Sequence, residues 1–125
     1  MYKIEKIGKN HLFIKVLGTF PPSVAEKFIK DFEERTKEFN NFSVIVDGLD
    51  VILLNLKSFE IILEFLRRNN ERLIRSAYII AKNPLLNKEA KILFERAESS
   101  KRKIVKNLEE AKEWLGISSV IVERD

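Results

Sequence analysis

Hydrophobic and polar residues follow two different periods along the 125 residues of this chain. The segment from Tyr2 to Ile7 sets apolar residues among charges, and the segment from His11 to Phe20 is rich in β-branched and aromatic residues. The turn signal Gly8-Lys9-Asn10 lies between them. Together these segments predict an opening β-hairpin.

After Pro21-Pro22 the apolar positions change to a helical period. Ser23 and Glu26 have the spacing of a capping box, and Asn40-Asn41 is an end signal. This pattern predicts a first helix with an inward stripe made of Val24, Ala25, Phe28, Ile29, Phe32 and Phe39.

In the rest of the chain, short apolar runs alternate with amphipathic stretches. The run from Phe42 to Val46 is typical of a strand covered on both faces, and Asp47-Gly48-Leu49-Asp50 predicts a turn after it. Asn107, Glu110 and Gly116 give the start and stop signals of the last helix. We predict helices from Ser58 to about Arg75, Leu86 to Ser99 and Leu108 to Leu115, and strands from Ala77 to Ala81 and Lys103 to Lys106.

The resulting order is β-β-α-β-α-β-α-β-α, which predicts an α/β fold with a mixed five-stranded sheet. We expect the strand at Val44 to Val46 to be central and the helices to cover the faces of the sheet. Residues 1–117 should form one domain, followed by a short apolar C-terminal tail at 118–125. The predicted core consists of Phe28, Phe32, Val44, Ile45, Ile62, Leu66, Ile79, Ile80, Leu93 and Leu115.

The amino-acid composition excludes some classes of function for this chain. The chain has no cysteine, which excludes disulfides and thiolate chemistry and fits a reducing compartment. The start of the chain lacks the apolar core of a signal peptide, and the longest apolar run, Val51 to Leu54, is too short for a bilayer span. We therefore expect a cytoplasmic protein that does not bind a membrane.

The element order resembles that of the STAS family, named for sulfate transporters and anti-sigma factor antagonists. The resemblance covers about residues 2–116 and rests on architecture and three local stretches: Gly18 to Glu26, Val44 to Asp47, and Asn107 to Leu115. It implies a stand-alone STAS-like domain that acts without catalysis, by binding another protein or by regulating one.

Ser58 is the residue that the resemblance singles out. STAS domains that act as phosphorylation switches carry Asp-Ser-Ser-Gly where the third strand meets the second helix, whereas this chain has the stretch from Asp50 to Ser58 and only Ser58 resembles the switch serine. A phosphate at a helix N-terminus would be favoured by the helix dipole. The simpler interpretation, which we prefer, is that Ser58 is the N-cap of the second helix.

Asp47 and Asp50 are candidates for a ligand site, because they follow a central strand at the carboxyl edge of the sheet. With the apolar loop through residue 56, they suggest a small enzyme or a carrier of an apolar ligand. We prefer the interpretation that they form an Asp-Gly turn. The single histidine and the absence of cysteine make a transition-metal site improbable, and no glycine-rich phosphate loop is present, so we expect no metal and no cofactor.

Positive charge is concentrated in one segment. Residues 63–107 carry twelve basic and five acidic residues, a net charge of +7 within a chain of net +4. Arg68, Arg72 and Arg75 have the spacing of one helix face, which suggests weak nucleic-acid binding that falls with salt. We favour a solvated face, because no aromatic residue is interleaved for base stacking.

The tail contains Val120-Ile121-Val122, three consecutive β-branched residues that favour an extended strand. An apolar edge of this kind must be covered, either by the domain's own sheet or by a second copy of the chain. We predict a homodimer contact.

Overall fold

The computed structural model describes residues 1–52 and 55–117, and within them it has five strands and four helices in the predicted order. Their bounds are β1 (Tyr2–Lys6), β2 (His11–Gly18), α1 (Pro22–Thr36), β3 (Phe42–Val51), α2 (Leu56–Asn69), β4 (Leu73–Ile79), α3 (Pro84–Arg96), β5 (Arg102–Val105) and α4 (Leu108–Leu115). The tail predicted at 118–125, and the homodimer contact assigned to it, lie outside the described residues.

The strands form one mixed sheet in the order β1-β2-β3-β4-β5. β1 pairs antiparallel with β2, and each following pair is parallel. The prediction that the strand at Val44 to Val46 is central is therefore confirmed. Because the parallel strands step across the sheet in one direction, right-handed crossovers place α1, α2 and α3 on the same face.

The two faces of the sheet are covered unequally. On the face of α1, α2 and α3, the core is built around phenylalanine rings, and Phe32 meets Phe42 and Phe65 edge-to-face at centroid distances of 5.4 and 5.1 Å. On the other face α4 packs over β3, β4 and β5. Eight of the ten predicted core residues are buried, whereas Ile62 and Leu115 are only partly buried.

The edge strand β1 is tied to α1 through Tyr2. Its ring packs edge-to-face on Phe28 at 5.2 Å, and its hydroxyl donates to Oδ2 of Asp31 at 3.2 Å. Desolvation by burial, followed by this hydrogen bond, raises the pKa of the Tyr2 hydroxyl, because both disfavour the phenolate.

The predicted second helix was too long. α2 ends at Asn69, and Arg75 lies on β4 rather than on a helix. The amide of Asn69 donates back to the carbonyl of Phe65, and Asn70 is the C-cap. Consecutive asparagines favour caps and turns over helix interiors, so the stop signal was present in the sequence.

The turn predicted at Asp47-Gly48-Leu49-Asp50 is also wrong, because β3 continues through these residues to Val51. The register with β2 shifts between Lys15 and Leu17, where β3 carries one extra residue, as in a β-bulge. A Cβ on Gly48 would lie 2.8 Å from Cγ2 of Ile80. Gly48 is therefore required for close packing rather than for a turn.

The predicted helix caps had mixed outcomes. α1 begins at Pro22 with Pro21 as N-cap and no side-chain bond, so the Ser23–Glu26 capping box is wrong; proline suits a first helical position because its missing N–H would be unpaired there. The cap at Asn107 is confirmed, because its side chain accepts from the N–H of Glu110. The reciprocal bond of the predicted box is displaced by one residue, since the Glu110 carboxylate accepts from the N–H of Lys106 and not from that of Asn107.

Candidate functional site

An apolar cavity lies between the sheet and the helices of the described structure. Its volume is about 150 Å³, and it lies on the face covered by α1, α2 and α3. Its lining includes residues of β3 from Phe42 to Val51, so the cavity borders this strand. The helices contribute mainly apolar side chains to its wall, among them Phe28, Phe32, Ile62, Phe65, Leu66, Ala90, Leu93 and Phe94.

The few polar side chains of the cavity wall include Arg102, Tyr78 and Ser76. Nη1 of Arg102 donates to the Tyr78 hydroxyl at 3.2 Å, and the Ser76 hydroxyl donates to the same oxygen at 3.1 Å. Nη2 of Arg102 donates to the carbonyl of Leu66 at 2.9 Å and to Oδ1 of Asn70 at 2.7 Å. The Tyr78 ring contacts the Phe94 ring in a tilted arrangement, with a centroid distance of 4.4 Å and an interplanar angle of 44°.

Asp47 and Asp50 do not form a matched pair of carboxylates. Asp47 is buried, lies beside Lys15 in the β2–β3 register, and accepts from the N–H of Leu49 at 3.2 Å. Asp50 lies beyond the bulge and is exposed. Within residues 1–52 and 55–117, no group of three His, Cys, Asp or Glu side chains is arranged to hold a metal ion.

Ser58 is fully buried at the third position of α2. The N-cap is Asn55, whose side chain accepts from the N–H of Ser58 at 2.9 Å, so the prediction that Ser58 is the cap is wrong. The Ser58 hydroxyl donates to the carbonyl of Phe20 at 2.6 Å and joins the start of α2 to the chain before α1. Phosphorylation of Ser58 stays a prediction, and it would require this bond to open.

The three arginines of the predicted basic helix face belong to different elements. Arg68 lies on α2 and pairs with Glu33 at 3.2 Å, Arg72 lies between α2 and β4, and Arg75 lies on β4. They therefore do not share a helix face. The prediction assumed that one helix continued through Asn69-Asn70.

Two of these three arginines, and two further arginines, instead donate hydrogen bonds to carbonyl groups at the carboxyl ends of helices. Nη2 of Arg72 donates to the carbonyls of Thr36 and Phe39 at the end of α1, and Arg75 donates to the carbonyl of Trp114 in α4. Arg67 donates to the carbonyl of Arg96 at the end of α3. Arg102 on β5 likewise donates to the carbonyl of Leu66 in the last turn of α2. Each of the four described helices therefore has an arginine from elsewhere in the fold at its last turn. The unpaired carbonyls and the negative end of the helix dipole favour this arrangement.

The cavity and its arginine were missed at the level of sequence. The periodicity of α2 and α3 identifies inward residues but not the space left between them. In the sequence, Arg102 stands between two lysines in the basic segment 63–107, whereas in the fold it shares the helix-covered face of β5 with Ile104. An arginine in phase with a partly buried apolar strand position is the signal that the sequence of β5 offers.

A solved structure with the same architecture supports the fold. The neighbour is an uncharacterized protein from the DUF3478 family with a SpoIIAA-like fold, from Shewanella loihica PV-4, with a TM-score of 0.71 over 92% of each chain. The fold of this chain is SpoIIAA-like. At 16% sequence identity this likeness establishes the STAS-like fold and nothing more specific.

Two further comparisons found no counterpart for this SpoIIAA-like chain. No family model matches the sequence, and no curated protein matches it. Within the described part of the chain, none of the helices has the length and apolar character needed to cross a bilayer.

Proposed function

We propose that this chain is a non-catalytic binding module of STAS-like fold, whose ligand is a small apolar molecule held in the cavity between the sheet and the helices. The observation that carries this proposal is the cavity itself. A space of about 150 Å³ with almost wholly apolar walls does not hold water well, and cavities of about this size in other proteins stay dry and admit benzene. The apolar lining therefore favours an apolar occupant.

The position of the cavity also supports this function. Gly48 and Val51, at the end of β3, line it together with Leu86 at the start of α3. These residues lie at the carboxyl edge of the parallel strands, the edge at which α/β folds commonly bind ligands. We therefore assign the apolar ligand that the segment 47–56 suggested to the apolar side chains beside the two aspartates, and not to the aspartates themselves.

Titration with benzene, followed by methyl NMR, tests the proposal. We expect shifts at Val44, Val46 and Leu66, which line the cavity, and none at Ile45 or Val105, which lie on the α4 face of the sheet. Ala90→Leu should abolish the shifts, because it fills the cavity from α3. Absence of shifts, or equal shifts on both faces, would contradict the proposal.

A second candidate function is binding of a protein partner at the carboxyl edge of the sheet. Three large apolar side chains are exposed there: Ile52 at 62%, Leu56 at 76% and Leu85 at 62%. The amide of Asn83 donates to the carbonyl of Val51 at 2.8 Å and brings the start of α3 beside the end of β3. Exposed apolar residues at one edge of a sheet favour an interaction surface there.

Chemical crosslinking in native lysate tests this second function. We expect Leu56→Lys to remove crosslinked partners that Ile92→Lys retains, because Ile92 is also exposed but lies on α3 away from its start. Identical partner sets for both variants would contradict it.

The homodimer and weak nucleic-acid binding stay predictions. Light scattering of the full chain and of a chain truncated after Gly116 tests the first, which fails if the full chain is already monomeric at micromolar concentration. Filter binding at increasing salt tests the second. Because several of the arginines contact helix carbonyls, we expect only weak, sequence-independent association.

A further inference from the structure

The cavity described above has an unusual polar group in its wall. Arg102 is the one arginine among the described residues that line it. Its three hydrogen-bond acceptors, the Leu66 carbonyl, the Asn70 side-chain oxygen and the Tyr78 hydroxyl, are all neutral. Its Nε is buried and has no hydrogen-bond partner within the described residues. Among the described residues, the buried Nε–H and one N–H of Nη1 therefore have no acceptor.

The charge of Arg102 also lacks a full counter-charge. Across residues 1–52 and 55–117, the ion pairs found join other groups, as in Arg68 with Glu33 on the surface, and no carboxylate lies within ion-pair distance of Arg102. The last turn of α2 supplies only the partial negative charge of its carbonyls. Arg102 is partly buried. A partly buried cation without an anionic partner is less favourable than one whose free N–H groups donate to a carboxylate.

From these observations we infer that Arg102 is the anion-binding group of the cavity, and that the preferred ligand is a small monocarboxylic acid with an unbranched apolar chain. This inference rests on the proposed function, because it presupposes that the cavity takes a ligand. The carboxylate meets Arg102 near the start of β5. The chain extends along β3 towards Gly48 and Val51, since these residues also line the cavity.

The size of the cavity limits the length of the acid. A volume of about 150 Å³ suits a body of about six carbons, the size of benzene, rather than a long lipid tail. Hexanoate is thus a suitable probe, and 1-hexanol is its neutral counterpart of the same length. Acetate provides the same charge without the apolar chain.

The experiment compares these three probes on the full chain by methyl NMR titration. We expect hexanoate to shift the methyl groups of Val44 and Leu66 and to bind about tenfold or more tightly than 1-hexanol, which corresponds to about one charge-assisted hydrogen bond. Acetate should leave these methyl groups unshifted. Equal affinities of hexanoate and 1-hexanol would overturn the inference but leave the proposed function intact. Failure of both six-carbon probes to bind would overturn the inference and the proposed function together.

Two variants locate the anion-binding group. Arg102→Met should reduce hexanoate affinity about tenfold and leave 1-hexanol affinity within about threefold, because it keeps the apolar stem and removes the guanidinium. Arg68→Met is the matched control on α2, outside the cavity, and should change neither affinity. Loss of hexanoate affinity in Arg68→Met, or its retention in a folded Arg102→Met, would overturn the assignment. If Arg102→Met does not fold, the comparison of probes on the unmodified chain still decides the inference.

Discussion

The two faces of the sheet differ in the side chains on which their helices pack. On the α4 face, the small residues Ala77 and Ala111 are both completely buried, so the helix lies close to the strands. On the opposite face, three helices rest on a cluster of phenylalanine rings, and a cavity of about 150 Å³ remains among them. Small residues thus bring one layer into close contact, whereas large rings hold the other layer apart and leave room for a ligand.

Removal of one of those rings should have the largest effect on stability. Phe32 is buried and meets the rings of Phe28, Phe42 and Phe65. We expect Phe32→Ala to lower the free energy of unfolding by about 3–5 kcal/mol, because it removes packed surface and enlarges the cavity. Denaturant unfolding measures this. A loss below about 1 kcal/mol would show that the rings do not support the helices.

Arg72 provides a second test, on the same face. Its guanidinium bonds the carbonyls of Thr36 and Phe39 and lies 5.1 Å from the centroid of the Phe42 ring. Arg72→Met should cost about 2 kcal/mol, because hydrogen bonds to charged groups are stronger than neutral ones. The control is Arg35→Met, whose arginine forms an exposed pair with Asp31 and should contribute little. Equal losses in the two variants would contradict a capping role for Arg72.

A matched pair of alanines compares the two faces directly. Ala90 lines the cavity, whereas Ala111 is fully buried against the sheet. Ala111→Leu should cost about 1–3 kcal/mol through overpacking, and Ala90→Leu less than about 1.5 kcal/mol because the cavity accepts the added atoms. Thermal unfolding of both variants measures these two losses of stability. The reverse order of stabilities would show that the cavity is not available to a ligand.

The smallest expected effect concerns the start of α4. Asn107→Ala removes the acceptor for the N–H of Glu110 and should cost about 1 kcal/mol. Asn55→Ala removes the equivalent cap of α2 and should cost a similar amount. Hydrogen exchange should show that the first substitution loosens α4 alone. If amide exchange in Asn107→Ala increased equally in α1 and α2, this would contradict the expectation that the helices on the two faces of the sheet open independently.

The sequence alone predicts the element order, the central strand and most of the core, because each depends on local periodicity. Errors arose where one local signal had two meanings. Asp47-Gly48 has the composition of a turn, yet β3 continues through it, and Gly48 packs closely against Ile80 there. Asn69-Asn70 was passed over because basic residues continued beyond it at helical spacing.

The candidate site was less predictable because it depends on distant residues. Arg102 is 36 positions from Leu66 in sequence, and Arg72 is 36 positions from Thr36. No rule of sequence spacing predicts contacts between such pairs, because they come together only when the sheet is assembled. The excess of positive charge was visible, but its use at helix ends became clear only from the topology.

The arginines at the helix ends have a consequence for the order in which the chain folds. During synthesis, α1 emerges before Arg72, and α2 emerges before Arg102, so each helix lacks its final contact until a later segment has docked. The first two crossover units are therefore incomplete as isolated fragments. Cooperative folding of the whole domain follows, since the last strand of the sheet completes a helix formed three elements earlier.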